Sequence, residues 1–459
     1  MLFQRIYTDG LAQASFLLGA DATREAVVID PRRDVDIYLS FAESHELTIR
    51  YVLETHIHAD FASGARELAA RSGATAALSA VGESEFDHQP LNDGDVLTVG
   101  ELQITALLTP GHTPEHLCFL VRDTSDATAP PMLFSGDALF VGAVGRPDLL
   151  GEEHTRKLAD ALYDTIHERL MALDDDVIVY PGHGAGSACG KAIGDAESTT
   201  MGQEKRFNYA FQPMEREAFV RLMLDDLPPT PVYFPVMKGL NKAGPTILNG
   251  VPQPPRISAD ALGDVVAQAG MTVTLVDART AEEFGAGYLR GALNIGVGDS
   301  MANWAGWSVP YDRPIVLVVE DASQVTPAVT QLIRIGLDDV SGYTVADVAA
   351  WEAAGLPVER VEQLAPAEVE ARLADDAAQL VDVRNRAEFA LGHIDGAVHL
   401  PVEEIARGVV DGISRTTPLI VTCAAGYRSS LAASLLKQRG FEDVANLSGG
   451  MEAWALRGK

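Results

Sequence analysis

The sequence predicts a multidomain α/β protein, and three observations carry that prediction. Through the first half, short apolar runs alternate with helical patterns. From about Phe234 to Pro255 the texture changes to "FPVMKGLNKAGPTILNGVPQPP", rich in Gly, Pro and Asn and without a sustained period. Beyond it a segment occurs twice: "LVDARTAEEFGAGYLRGALNI" starts at Leu275 and "LVDVRNRAEFALGHIDGAVHL" at Leu380.

In the first half, "EAVVID", "RYVLETHIHAD", "LQITALLTPGH", "PMLFSGDALF" and "DVIVYPGHG" each read as a buried strand running into a polar loop. "SGARELAARSG" reads as a helix, with Ser63 as N-cap and Gly73 as its stop. Loops at strand ends are where a sheet scaffold carries chemistry. Each repeat copy is a strand, an Asp-x-Arg turn, a helix start and a glycine-marked return to a strand; downstream, "PIVLVV" from Pro314 matches "PLIVTC" from Pro418. The expected domains are 1–250, 257–358 and 360–459, with a linker at about 236–256.

The length of 459 residues suits about three domains, and 47% hydrophobic residues suffice for buried cores. A formal charge of -30 excludes nucleic acid and anionic membrane surfaces as partners, but not small anions in a local basic pocket. The start, "MLFQRIYTDG", has no basic residues leading into an apolar run, so no signal peptide is expected; nor is any membrane span. Three cysteines, Cys118, Cys189 and Cys423, cannot make a disulfide framework, and point to a reducing cytoplasm.

Metal-ligand residue types gather at four strand ends: "THIHAD" (His56, His58, Asp60), "TPGHTPEH" (His112, His116), "SGDALF" (Asp137) and "YPGHG" (His183). In this order they resemble the metallo-β-lactamase superfamily, in its glyoxalase II and persulfide dioxygenase branch, over roughly residues 1–250. The resemblance implies an αββα sandwich with metal at one edge. Two chemistries compete on that scaffold. Glyoxalase II-like thioester hydrolysis uses two zinc ions, the second drawing on Asp60, the residue at 61, Asp137 and His183; here position 61 is Phe61, which has no donor atom. Persulfide dioxygenases hold one Fe(II) per domain with two histidines and a carboxylate, leaving positions open for substrate sulfur and O₂. By resemblance those ligands are His56, His112 and Asp137.

The residues alone leave His58 open as a ligand. With Asp60 and His183 it is carried as a hydrogen-bonding group that orients the ligands, and His116 as structural. Arg146 and Asp148 in "GRPDL" pair with each other or contact substrate. Cys189, on "GHGAGSACGK", reads first as a small loop residue and second as a thiol at the site mouth able to take up sulfur.

In the last copy, "CAAGYRSS" follows the strand "PLIVT" and leads into a helix. Converging backbone N–H groups and a helix N-terminus there favour a thiolate at Cys423, and Arg428 adds positive charge and a fork for sulfite or sulfonate oxygens. The pattern resembles the rhodanese active loop, Cys-x-x-Gly-x-Arg, and "DVRNRAEFALGHIDGA" resembles that family's other signature. The resemblance implies that Cys423 carries persulfide sulfur, with Gly426 and Arg428 completing the loop. Four residues separate Cys423 from Arg428, against five in related phosphatases, which favours sulfur over phosphate. The middle copy has Val319 at the cysteine's place, followed by "EDAS", so it is expected to be inactive as a sulfurtransferase.

Together the resemblances imply a fusion of persulfide dioxygenase, inactive rhodanese and active rhodanese. Its expected partners are a low-molecular-weight thiol persulfide, O₂ and sulfite or thiosulfate, in a homo-oligomer serving sulfide oxidation. The alternative enzyme is a binuclear-zinc thioester hydrolase fused to the same repeats; the non-enzymatic one is a sulfur relay on a metal scaffold.

Overall fold

A computed structural model describes residues 1–225 and 227–457. The chain forms two compact units: Met1–Val251 with Ile333–Gly336, and Pro252–Leu332 with the chain from Leu337 onward.

The first unit is the expected sandwich of two six-stranded sheets. One runs Leu2–Thr8, Gln13–Gly19, Glu25–Ile29, Thr48–Leu53, Thr75–Ser79, Gln89–Leu91, in chain order across the sheet. The other runs Thr199–Thr200, Ile178–Pro181, Met132–Gly136, Leu117–Asp123, Leu102–Leu108, Val96–Val99. Inward-facing side chains such as Phe16, Leu53, Phe119 and Phe134 make the shared core. Helices Asp36–Ser44 and Ala65–Ser72 cover the first sheet through Tyr38 and Leu68, and Glu152–Asp164 and Arg216–Leu224 cover the second through Leu162 and Phe219.

All five strands read from the sequence are present, and each site loop leaves a strand end. The helix after the first motif begins one residue later than expected: Gly64 is its N-cap, while Ser63 accepts from the Ala65 amide and donates to Glu54. Gly73 ends it in the left-handed conformation, as expected (φ 76°).

The segment read as linker needs correcting. Phe234–Ala243 is a helix, with proline in its first turn, where the missing N–H costs nothing. The chain after it is also tied down. Arg66 donates to the Gly244 carbonyl, and Glu67 accepts from the Leu248 and Gly250 amides. The first unit therefore runs to Val251 without a free linker; its Gly, Pro and Asn content reflects turns docked on a surface.

In the second unit the two repeat copies form separate all-parallel sheets of matching order. The middle copy runs Leu293–Asn294, Thr274–Asp277, Ile315–Val319, Val340–Val345. The last runs Val398–His399, Gln379–Asp382, Leu419–Thr422, Val444–Leu447, with Glu362–Leu364 added at the edge. Strands such as "IVLVV" are continuously apolar because both faces are covered. The repeated Asp-x-Arg turn makes the same contacts twice. Arg279 grips Asp277 and donates to the Gly287 carbonyl, and Arg384 grips Asp382 and donates to the Gly392 carbonyl. A capping box then opens each helix, Thr280 with Glu283 and Asn385 with Glu388.

Candidate functional site

Three strand-end loops bring His56, His112 and Asp137 together, with one donor atom from each within 4.8 Å of the others and all three buried. The Nε2 atoms of His56 and His112 lie 3.9 and 3.4 Å from Asp137 Oδ2. His56 Nε2 and Asp137 Oδ2 are buried without a hydrogen-bond partner among the described residues. Orphaned lone pairs converging on one point are what a bound cation relieves, so these residues fit a metal ion.

Neighbours fix each ligand. His112 Nδ1 sits 3.0 Å from the Arg146 carbonyl, to which it donates, leaving Nε2 as the free donor. His116 is structural, as expected: its Nε2 accepts the Asp137 amide at 3.0 Å, and Nδ1 contacts Thr109. Burial lowers His116 to about 3, so it is a neutral acceptor. Burial and the nearby His58 charge hold His56 well below the usual histidine range; burial lowers His112 as well. Burial opposes the Asp137 charge, but the charge and hydrogen bond of His183 hold its carboxyl well below the usual range. The centre thus offers two neutral imidazoles and a carboxylate, the protonation states a metal needs.

His183 bridges two carboxylates, Nδ1 to Asp137 Oδ1 and Nε2 to Asp60 Oδ2, both at 2.7 Å. Burial opposes its charge, but Asp137 and Asp60 raise it to about 10. His58 turns away from the three-donor group: its Nε2 lies 3.2 Å from Asp30 and 3.1 Å from Glu54. Despite burial, those acids raise it well above its usual range. Phe61 is fully buried with its ring 4.4 Å from that of His58.

Arg146 pairs with Asp148 (3.0 and 2.7 Å) and donates to the carbonyls of Ala188 and Pro228, so its donors serve the loops and not a substrate. Cys189 is buried beside Asp60 and His183. Burial, then the charges of Asp60 and Asp137, pushes its thiol well up.

The sequence reading missed three residues. Asp30 accepts from the Thr55 amide and hydroxyl (2.7 and 2.8 Å), anchoring the motif at its first residue. Glu54 precedes that motif and faces His58. Asn241, in the supposed linker, accepts from the Ser63 amide and donates to the His58 and Phe61 carbonyls. Asp30 ends the strand "EAVVID", so the strand-end rule used for the histidines was the available signal; Asn241 gave none.

In the last copy Cys423 is buried at its strand end, and its sulfur accepts from the Gly426 amide (3.1 Å) and the Ser429 hydroxyl (3.3 Å). Gly426 takes φ 102°, a left-handed position glycine adopts without strain. Arg428 is engaged elsewhere, donating from both terminal nitrogens to Glu388. In the middle copy Val319 is fully buried at the equivalent strand end, with Glu320 and Asp321 following.

Residues 8–183 match the metallo-beta-lactamase superfamily and residues 365–457 the rhodanese-like domain. The chain is 30% identical over 189 residues to the human mitochondrial persulfide dioxygenase ETHE1, spanning 40% of this chain and 68% of that protein. It is 35% identical over 187 residues to a hydroxyacylglutathione hydrolase of Polaromonas sp., spanning 40% and 66%. A crystal structure of a metallo-beta-lactamase from Staphylococcus aureus aligns with a TM-score of 0.66 at 34% identity, over 76% of this chain and 99% of that one. With its two-sheet sandwich and its cluster of buried metal-binding groups, the chain belongs to the metallo-beta-lactamase superfamily, joined to a rhodanese-like domain.

Proposed function

We propose that this protein oxidises a low-molecular-weight thiol persulfide with O₂ and water to sulfite and free thiol, at one iron(II) held by His56, His112 and Asp137. Cys423 then exchanges sulfane sulfur among persulfide, sulfite and thiosulfate. The observation that carries the reading is the two-histidine, one-carboxylate group with its orphaned donor atoms, in a motif where Phe61 replaces a donor. Iron in such a group supplies the electrons that O₂ chemistry requires and that zinc cannot.

The chain's own residues hold and orient. His112 is locked by the Arg146 carbonyl, His116 fixes the Asp137 backbone, and protonated His183 keeps Asp137 ionised. Burial of the whole group excludes bulk water from the reacting sulfur.

At the second site the Cys423 thiolate attacks the terminal sulfur of a persulfide; the S–S bond breaks, the thiol leaves, and Cys423 carries the sulfur. Sulfite attacks that sulfur, thiosulfate leaves and the thiolate returns. The Gly426 amide and Ser429 hydroxyl stabilise the anionic sulfur in both steps. Joining the sites in one chain suits the chemistry, because sulfite from the first is an acceptor for the second.

The test is oxygen consumption with a panel of thiol persulfides on iron-loaded protein. His112→Ala should abolish uptake, and Cys423→Ser should abolish thiosulfate formation while uptake persists. Full uptake by His112→Ala would refute the metal assignment. Similarity to the hydroxyacylglutathione hydrolase supports a second reading, a zinc thioester hydrolase. Thioester turnover without persulfide-dependent oxygen uptake would put that reading first.

A further inference from the structure

We propose that Ile333–Gly336, a four-residue turn within the cysteine-less copy, positions the metal-binding loop, with Arg334 as the positioning residue. The inference rests on the reading of His56, His112 and Asp137 as metal ligands. In the fold this turn belongs to the first unit, although the chain on either side of it belongs to the second.

The repeat shows what is unusual about the turn. With the copies aligned through Pro314 and Pro418, Arg334 and Gly336 fall on Gln438 and Gly440. Both turns end a helix in the same way. The Gly336 and Gly440 amides donate to the Ile333 and Lys437 carbonyls, and the Leu337 and Phe441 amides to those of Leu332 and Leu436. Both glycines take the left-handed conformation, with φ 71° and 83°. Their surroundings differ. A Cβ on Gly440 would meet nothing within 4 Å among the described residues. On Gly336 it would lie 2.5 Å from Leu240 and 2.9 Å from Met237, on the helix that carries Asn241. Gln438 is exposed, whereas Arg334 and Ile335 are buried. The last copy keeps a surface turn, and the cysteine-less copy uses the same turn as a buried support.

Arg334 joins two loops. Its carbonyl, at a helix end where carbonyls lack partners within the helix, accepts from the Ala62 amide at 2.7 Å. Its guanidinium forks onto Asp34 at 2.8 and 2.9 Å. Asp34 also pairs with Arg32 at 2.9 Å, and Asp30, earlier in the same loop, anchors Thr55. The motif is therefore held at its start by Asp30 and at its end by Arg334, and both anchors lead to one loop. Between them lie His56, a ligand, and Asp60, which accepts from the His183 that also bonds Asp137. A buried guanidinium–carboxylate fork has one preferred geometry, so it fixes the spacing of the two loops in a way that an exposed ion pair does not.

Cobalt(II) binding to metal-stripped full-length protein, in competition with a chelator, tests this without turnover. Arg334→Met keeps the carbonyl and the apolar stem but loses the fork. It should weaken cobalt binding roughly tenfold or more and alter the visible ligand-field band. Asp34→Asn, which also releases Arg32, should do at least as much, and adding Arg334→Met to it should weaken binding little further. Arg334→Lys, which keeps the charge without the fork, should fall between the parent and Arg334→Met, and it carries the test if Arg334→Met does not fold. The control is Arg156→Met, which removes exposed pairs with Asp160 and Glu217 in the same unit and should leave affinity and band as in the parent. Parent-like affinity and band in the Arg334 variants, even with a lowered Tm, overturns the proposal. So do additive losses in the double variant, or an equal loss in Arg156→Met. No cobalt binding in the parent overturns it together with the metal reading. Persulfide-dependent oxygen uptake is measured separately on iron-loaded parent, where its absence would sink the dioxygenase reading and leave the positioning role standing.

Discussion

Arg428 closes on Glu388 through two hydrogen bonds, 2.7 and 2.6 Å long, so the guanidinium after Cys423 grips a neighbouring helix. Glu388 is also the third residue of the capping box on Arg386–Leu391. The pair fastens the cysteine loop to the helix of the Asp-x-Arg turn.

The pair makes stability depend on pH. The hydrogen bond from Arg428, against partial burial, lowers the Glu388 pKa. A depressed carboxyl contributes stability that is present above its unfolded pKa and lost as pH falls through the folded value. Glu388→Gln should therefore destabilise the second unit by about 1 kcal/mol near pH 7, or roughly 2–4 °C in Tm. The gap from the parent should close below about pH 4. Thermal melts across pH check this; a gap that persists in acid would assign the effect to packing.

Gly450 tests how tightly the cysteine loop is seated. It takes φ 56°, and a Cβ there would lie 2.4 Å from the Cys423 carbonyl oxygen and 2.6 Å from that of Ala424. Those carbonyls also accept from the Met451 and Glu452 amides. Neither is a yielding side-chain end, so Gly450→Ala must displace the loop, at about 1–3 kcal/mol. Thiosulfate formation should fall about tenfold or more while oxygen uptake holds. Unchanged sulfurtransfer would mean that the position of the Cys423 carbonyl does not matter.

The middle copy, lacking a thiol, carries a different element. Asn294 donates to the Asp277 and Arg279 carbonyls of its own domain and accepts from Ser430; its amide donates to Ser434. Both serines lie on Tyr427–Gln438, the helix that also presents Ser429 to Cys423, and Tyr427 donates to the Gly296 carbonyl. Asn294→Ala keeps the bond to Ser434 but strands the Asp277 and Arg279 carbonyls and the Ser430 hydroxyl, which costs about 1–3 kcal/mol. It should lower the Tm and the sulfurtransfer rate together. An unchanged rate with a lowered Tm would restrict Asn294 to stability.

These sites were unequally legible in the sequence. His56, His112, Asp137 and Cys423 could be read because strand-end residues of a few types define them, and strand ends show as breaks in apolar runs. The repeat was visible because the Asp-x-Arg turn needs the same residues each time. Charge partners were not visible: Arg428 looked like an anion fork because Glu388, 40 residues earlier, gave no sign of facing it. The nearness of Cys189 to Asp60 was not visible either, since only folding brings the two together. Composition also misled at 234–251, where turn residues suggested a free linker and the chain in fact docks.

That docked segment leads to the last prediction. Asn241 holds three backbone groups of the motif loop: the Ser63 amide at 2.8 Å and the His58 and Phe61 carbonyls at 2.8 and 2.7 Å. All lie within a few residues of His56, so the clamp sets the loop that carries a ligand without touching the metal. Asn241→Ala leaves these groups unpaired in a buried place, which costs about 1–3 kcal/mol. By analogy with other outer-sphere supports, metal affinity at the His56–His112–Asp137 group should weaken roughly 10–100-fold. Competition against a chelator measures that affinity directly. Asn241→Asp, which keeps the acceptor for Ser63 but sets a buried carboxylate oxygen against the His58 and Phe61 carbonyls, should weaken affinity at least as much as alanine. If the clamp acts only by positioning the loop, excess iron should restore oxygen uptake to Asn241→Ala but not to His112→Ala, which lacks the ligand itself. Parent-like affinity in Asn241→Ala would show that Asp30 and Thr55 suffice to hold the loop.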